Sequence, residues 1–378
     1  MKFAKLTMIA TALSISTFSL ASESVDALYD KARTWDSSVQ LSEIAFDSAN
    51  EQVTSGIGRL LPSVSGSLSA GLGGSGEDLS DAFDYDLDTT SLSAGISVQQ
   101  AIFNWQAIAG YQAGLINANN SNLQISAAKQ TLMMSVADAY VNVLKAEQSL
   151  KLSQSEEKSI ARQLDQTKER FNVGLVAITD VHNAQASYDQ TQAALIGSQT
   201  QLELAKLGLE ILTGYNDELL AIGSISDIPK TLPNSLDFWV DQAMKNNLNI
   251  QISAGSVDLA NKGLEVDKAA RLPTVGLQAG YTFGSGDAGE NWRHSSNVGV
   301  SVSVPIYSGG QVSSSIAQSF NTLTQSELQL EGIKRNTRLA IIQLYRTLST
   351  NLATIIAQEQ VIVSRESALK ATEVGLEV

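Results

Sequence analysis

Arg59-Leu60-Leu61-Pro62-Ser63-Val64 returns later in the chain as Arg271-Leu272-Pro273-Thr274-Val275. Ile102-Phe103 returns as Ile306-Tyr307, and Tyr140 as Tyr345. The offset, roughly 200 residues, is too long for an ordinary solenoid repeat. Each copy reads helix, strand, loop, strand, long helix. A chain that writes one order twice is built from two halves of one architecture. What the strands and long helix of one copy require therefore decides the fold.

Both proline borders open a run of strict alternation. After Pro62, Val64, Leu68, Ala70 and Leu72 share one face, with Ser63, Ser65, Ser67 and Ser69 opposite. Leu92, Ala94, Ile96 and Val98 then oppose Ser91, Ser93, Ser97 and Gln99. After Pro273, Val275, Leu277, Ala279, Tyr281 and Phe283 align, followed by Val298, Val300, Val302, Val304 and Ile306 against Gly299, Ser301 and Ser303. Period-two alternation predicts strands. Each run has about the ~9–11 residues that a tilted strand needs to cross a bilayer. Apolar on one side and small polar on the other is the pattern of a transmembrane barrel wall. A soluble sheet with one buried face is the alternative that the alternation alone leaves open.

Four strands cannot close a barrel, and an open edge in lipid leaves backbone groups unsatisfied. The strands must then be shared between copies. Two copies give eight strands, an interior filled by side chains; three give twelve and leave a passage. Transport favours three or more.

All five prolines, Pro62, Pro229, Pro233, Pro273 and Pro305, avoid the long helical stretches. Residues 104 to 171 are rich in Ala, Gln, Leu, Lys and Glu, which are good helix formers. One helix of that length extends ~100 Å at ~1.5 Å per residue. Its apolar positions, Leu132, Val136, Tyr140, Val143, Leu144, Leu164 and Phe171, make a sparse stripe suited to narrow coiled-coil seams. An ordinary bundle would carry a wider apolar face. Asn172-Val173-Gly174 interrupts the helix, since Gly adopts the left-handed conformation that ends helices. A second helix is expected from about Thr179 to Leu212, with Thr179 as N-cap and Asp180 in the first turn, where negative charge is favoured. The pair reads as a helical hairpin with its tip at 172 to 178.

Residues 1 to 21 read as a secretory signal peptide: Lys2 and Lys5, an apolar stretch from Leu6 to Leu20, then Ser19-Leu20-Ala21. A retained anchor is the alternative, but the stretch is short for a spanning helix. There are no cysteines, so no disulfide framework and no lipid-bearing cysteine. A net charge of −14 argues against nucleic acid. The first strand loop carries Glu77, Asp78, Asp81, Asp84, Asp86 and Asp88; the second carries Asp287, Glu290 and Arg293. Their spacing does not match an EF-hand, and solvated loops are the plainer reading. His182 and His294 are the only histidines. No nucleophile, metal or phosphate-loop spacing can be drawn, so neither catalysis nor a cofactor is expected.

The run Arg162-Gln163-Leu164-Asp165-Gln166-Thr167-Lys168-Glu169-Arg170-Phe171-Asn172-Val173-Gly174-Leu175-Val176-Ala177-Ile178-Thr179-Asp180-Val181 resembles the hairpin tip of the outer-membrane efflux protein family typified by TolC. Leu272-Pro273-Thr274 and Val304-Pro305-Ile306-Tyr307-Ser308-Gly309-Gly310 resemble the family's strand borders. The resemblance covers essentially the whole chain after residue 21. It implies an α+β membrane protein and a homotrimer, with a coiled-coil periplasmic tunnel under a 12-stranded outer-membrane barrel to which each chain gives four strands. It implies a passive exit duct for drugs, bile salts or proteins, in tripartite efflux pumps and type I secretion. A periplasmic adaptor and an inner-membrane transporter of RND, ABC or MFS type would dock on it. Carried over by position, Val173, Gly174 and Leu175 resemble the adaptor-contacting tip. Thr179 and Asp180 resemble partners in the polar links that hold the periplasmic gate closed; for Asp180 a helix-start charge serves equally.

On this reading 22 to 213 is the first repeat, with strands at about 62–73 and 90–102. Residues 214 to 235 form a linker, and 236 to 378 the second repeat, with strands at about 273–284 and 296–307. Val374-Gly375-Leu376-Glu377-Val378 aligns just before a second tip, with Leu376 where the family commonly has an aromatic residue. The resemblance thus implies a return helix beyond Val378. The rival readings are a structural or adhesive coiled-coil protein anchored by a shared barrel, and a truncated product that seals no tunnel.

Overall fold

The structure, a computed structural model, describes residues 25–73, 89–214, 231–285 and 291–377. The signal peptide, the six acidic residues of the first strand loop, Asp287, Glu290 and most of the linker lie outside the described residues. The elements are α1 (Val25–Trp35), α2 (Ser37–Gly58), β1 (Ser63–Gly73), β2 (Thr89–Phe103), α3 (Trp105–Asn172), α4 (Ile178–Thr213), α5 (Leu236–Asn246), α6 (Leu248–Ala269), β3 (Thr274–Ser285), β4 (Arg293–Ser303) and α7 (Gln311–Glu377). Each half thus opens with two helices rather than the single one expected. Asn247 makes the second break: it leaves the helical conformation and its side chain accepts the Ile250 N–H at 3.1 Å, the work of an N-cap.

The chain divides into two compact units. The first holds α1, α4 and α3 from Lys129 onward. In α3 the buried residues Leu132, Val136, Val143 and Leu164 lie at heptad-like spacings among exposed neighbours, the narrow seam of paired helices. Leu28 and Ala32 are the buried residues of α1, and Leu209 and Thr213 those of α4. Both pairs are four apart, one face of a helix. Gly214 ends α4 with φ of 69°. A Cβ there would collide with the Trp35 ring, so only glycine meets both the turn and the contact.

The second unit holds α2, the first part of α3, α5, α6, α7 and the sheet. The sheet is antiparallel in the order β1-β2-β3-β4. β4 ends at Ser303, short of the expected 307, and begins at Arg293 instead of 296. Pro305 has no N–H for a ladder, so Val304 and Ile306 continue the alternation in sequence but lie beyond the strand. Ile102 is bulged out of the β2–β3 pairing, between Ala101 opposite Gly276 and Phe103 opposite Val275. The extra residue turns Phe103 to the other face. A hydrogen bond from Ser319 to Asp267 ties α7 to α6, and Arg271, in the turn after α6, donates to Ser313 of α7.

Candidate functional site

The hairpin tip is built by backbone chemistry. Gly174 takes φ of 77°. Its N–H bonds the Phe171 carbonyl at 2.8 Å, and the Leu175 N–H reaches back to the Arg170 carbonyl at 2.8 Å. These are the two bonds of a Schellman cap, with Gly174 at the left-handed position. The cap satisfies the last carbonyls of α3 and throws the next side chains outward. Val173 is 69 % exposed and Leu175 73 %, with Ile178 half-exposed behind them. Large apolar groups so placed gain nothing in the fold; they form a small apolar knob.

The expected cap at Thr179 needs correction. The N-cap of α4 is Ala177, whose backbone is extended at φ −81° and ψ 156°. Alanine has no oxygen to offer, and the Asp180 carboxylate bonds the Ala177 N–H at 3.1 Å instead. Asp180 thus supplies the returning half of a capping box, and its charge sits where the helix dipole favours it. Thr179 lies inside the first turn, exposed, as does His182 one turn on. The structure therefore groups Val173, Gly174, Leu175, Thr179 and Asp180 at one end of the hairpin.

The sheet is the second feature. Its register runs Val64, Val98, Ala279 and Val298 in one row across all four strands, and Leu68, Ala94, Phe283 and His294 in another. The opposite face carries Ser65, Ser97, Gly280 and Asn297, then Ser67, Gly95, Thr282 and Ser295. Serine hydroxyls bond across strands there, Ser65 to Ser97 at 2.8 Å and Ser69 to Ser93 at 2.7 Å. On the apolar face Val298 is 80 % exposed and Leu68 78 %, while Val98 and Ala279 on the inner strands are partly exposed. An exposed and largely apolar face marks an interaction surface. Near the β3–β4 connection Phe283 stacks on Trp292 with centroids 4.5 Å apart, and Tyr281 on His294 at 6.4 Å. Aromatic groups gathered at one end of an apolar band suit a membrane interface. The alternation did not single out Trp292 or His294; their closeness to a strand end was the available signal.

No helix among the described residues is long and apolar enough to cross a membrane. The candidate membrane surface is the sheet.

The model of the outer membrane efflux protein family matches residues 28–215 and 239–378. The chain belongs to the outer membrane efflux protein family. Outer membrane protein TolC of Escherichia coli K12 is 31 % identical over 397 residues, covering 99 % of this chain and 78 % of the relative. TolC of Vibrio cholerae is 28 % identical over 378 residues, covering 98 % and 84 %. The crystal structure of VceC, also from Vibrio cholerae, superposes with a TM-score of 0.73 at 16 % identity, over 89 % of this chain and 81 % of that one. As a member of the outer membrane efflux family, the chain is an outer-membrane exit duct. The family's two matched segments follow the internal duplication. Its members are channel proteins.

Proposed function

We propose that three copies of this chain close a twelve-stranded barrel and form a passive duct for efflux and type I secretion, joined in the periplasm to an adaptor and an inner-membrane transporter. The observation that carries this reading is the four-stranded sheet. It has an apolar face, a hydroxyl-lined face and two outer edges, on β1 and β4. In hydrocarbon each unpaired backbone group costs several kcal/mol, so β4 of one copy must meet β1 of the next. Three copies put the serine face around a water-filled passage wide enough for solutes. A wall of neutral hydroxyls holds no substrate strongly, as a conduit requires. Drugs, bile salts or unfolded proteins can then pass by the same route, with the transporter supplying the energy.

The exposed knob of Val173 and Leu175 about Gly174 fits an adaptor's helical hairpin: a compact apolar contact held by a rigid backbone turn. Thr179 and Asp180, exposed on the first turn of α4, are available for polar links that hold the periplasmic end shut. For Asp180 this role adds to its bond to Ala177.

Native mass spectrometry and planar-bilayer recording on protein extracted from outer membranes test the reading. Trimers that conduct are the expected result. A monomer, or an assembly with no conductance, would sink it and favour an anchored structural protein.

A further inference from the structure

Arg59 and Arg271 hold matching places in the two halves, each a few residues before the first strand of its half. Their surroundings differ. The Arg271 guanidinium donates to Ser313 Oγ at 3.3 Å. Among the described residues the Arg59 side chain has neither a hydrogen-bond nor an ion-pair partner. It stands between two open hollows of about 500 and 390 Å³. The larger is lined by the polar face of the sheet, with Ser63, Gln99, Gln278, Ser301 and Ser303 at its wall. The smaller lies among α2, α3 and α6 and includes Gln52 and Asn117. Among the described residues Arg59 is the only charged one lining either hollow.

The contrast with the rest of the chain gives this cation its meaning. The sheet carries no charged residue on its polar face until Arg293 at the far end of β4. The chain as a whole is acidic, at −14. A guanidinium without a carboxylate, set among amide and hydroxyl donors, is a receptor for an oxyanion. Three copies would set three such groups at one level around the passage, and rings of arginine select anions in pores.

We propose that Arg59 holds an anion-binding site at the neck between sheet and helices, taking the phosphate, sulfonate or carboxylate group of a solute in transit. The site rests on the duct reading, which puts the polar face of the sheet on the lumen. Gln99 and Gln278 supply further donors. Arg271, committed to Ser313, contributes less.

The test uses inorganic tripolyphosphate as probe, on the full protein in neutral phosphatidylcholine bilayers. Tripolyphosphate is expected to block the wild-type current, more strongly at low salt. R59Q is expected to weaken the block about tenfold, the scale of a lost charge-assisted hydrogen bond. R59K should keep most of it, and R271Q should change it much less than R59Q. Equal block of wild type and R59Q overturns the proposal. So does an equal loss in R59Q and R271Q, which would reflect only the removal of one positive charge. If the wild type does not conduct, the duct reading fails separately. Equilibrium dialysis of tripolyphosphate against nanodisc-held protein then decides the site: weaker binding by R59Q supports it, and equal binding overturns it.

Discussion

Gly255 of α6 lies so close to Asn120 of α3 that a Cβ at 255 would overlap the Asn120 amide oxygen. Asn120 is 5 % exposed, and that oxygen accepts no hydrogen bond among the described residues. Glycine is thus the space that admits a buried polar side chain between two helices. Gly255→Ala is expected to destabilise the protein by about 1–3 kcal/mol, the usual cost of overpacking. Thermal unfolding in detergent gives the measurement. Adding Asn120→Ala should recover part of the loss, because the two residues share one space and their effects cannot be additive.

At the tip, stability and binding should separate. Gly174 has open space about its Cα, with no atom within 4 Å of the place a methyl group would take. Gly174→Ala therefore pays only for its left-handed backbone, about 1 kcal/mol. Val173→Ser with Leu175→Ser removes exposed groups and should leave the melting temperature unchanged while abolishing cross-linking to the periplasmic adaptor. Unchanged cross-linking would remove these residues from the docking surface.

Asp180 gives the opposite result. Its carboxylate caps the Ala177 N–H, so Asp180→Ala should cost about 1 kcal/mol. Asp180→Asn, which keeps an acceptor and loses the charge, should cost less. If Asp180 also belongs to the closed end, both variants will raise the resting conductance in planar bilayers. A stability loss without a conductance change would confine Asp180 to capping.

These residues show what a sequence can and cannot disclose. The strands are legible because β-structure has a period of two, and Ser63 to Ser69 against Val64, Leu68 and Ala70 writes it with only Gly66 between. Gly174 is legible because few residues but glycine tolerate its backbone angle. Thr179 reads wrongly as a cap because capping rules consult the side chain at the cap itself, whereas here alanine occupies that place and Asp180 reaches back to it. The end of β4 is overrun because Val304 and Ile306 extend the alternation past Pro305. The opening helix pairs read as single helices because Asn247 breaks the second without proline or glycine. The hollows beside Arg59 are beyond reach, since their walls come from β1, β2, β3, β4 and three helices. Only tertiary structure brings those residues together.

Tyr188 of α4 offers a pH-dependent test in the helical unit. Its hydroxyl is held above the ordinary tyrosine value of 10.0, chiefly by its hydrogen bond to Glu157 on α3. Gln192 donates to the same oxygen at 2.8 Å. A raised folded value means that the tie is fully present below the unfolded value and is lost as pH rises through the folded one. Difference absorbance between wild type and Tyr188→Phe isolates this tyrosine. It should ionise above pH 10, and Glu157→Gln should bring it back toward the ordinary value. Coincident titration in wild type and Glu157→Gln would dismiss the tie.

The two faces of the sheet can be set against each other with neighbouring residues. Val298 and Asn297 are consecutive on β4. Val298 stands opposite Ala279 in the apolar row, and Asn297 opposite Gly280 in the polar row. A Cβ at Gly280 would approach the Asn297 amide oxygen to 2.7 Å, so the glycine leaves room for a long side chain at 297. Lysine adds the same charge and nearly the same volume at either site, so any difference reports the face. Val298→Lys puts an ammonium against hydrocarbon near the middle of the apolar band, a cost of about 2–4 kcal/mol per chain at the bilayer midplane. Three copies bear that cost together, and detergent-resistant trimers should disappear from the outer membrane. Asn297→Lys puts the ammonium in lumenal water, so trimers should form normally, with conductance shifted toward anions. Equal tolerance of both lysines would mean that neither face meets lipid, and the sheet would then have to be soluble.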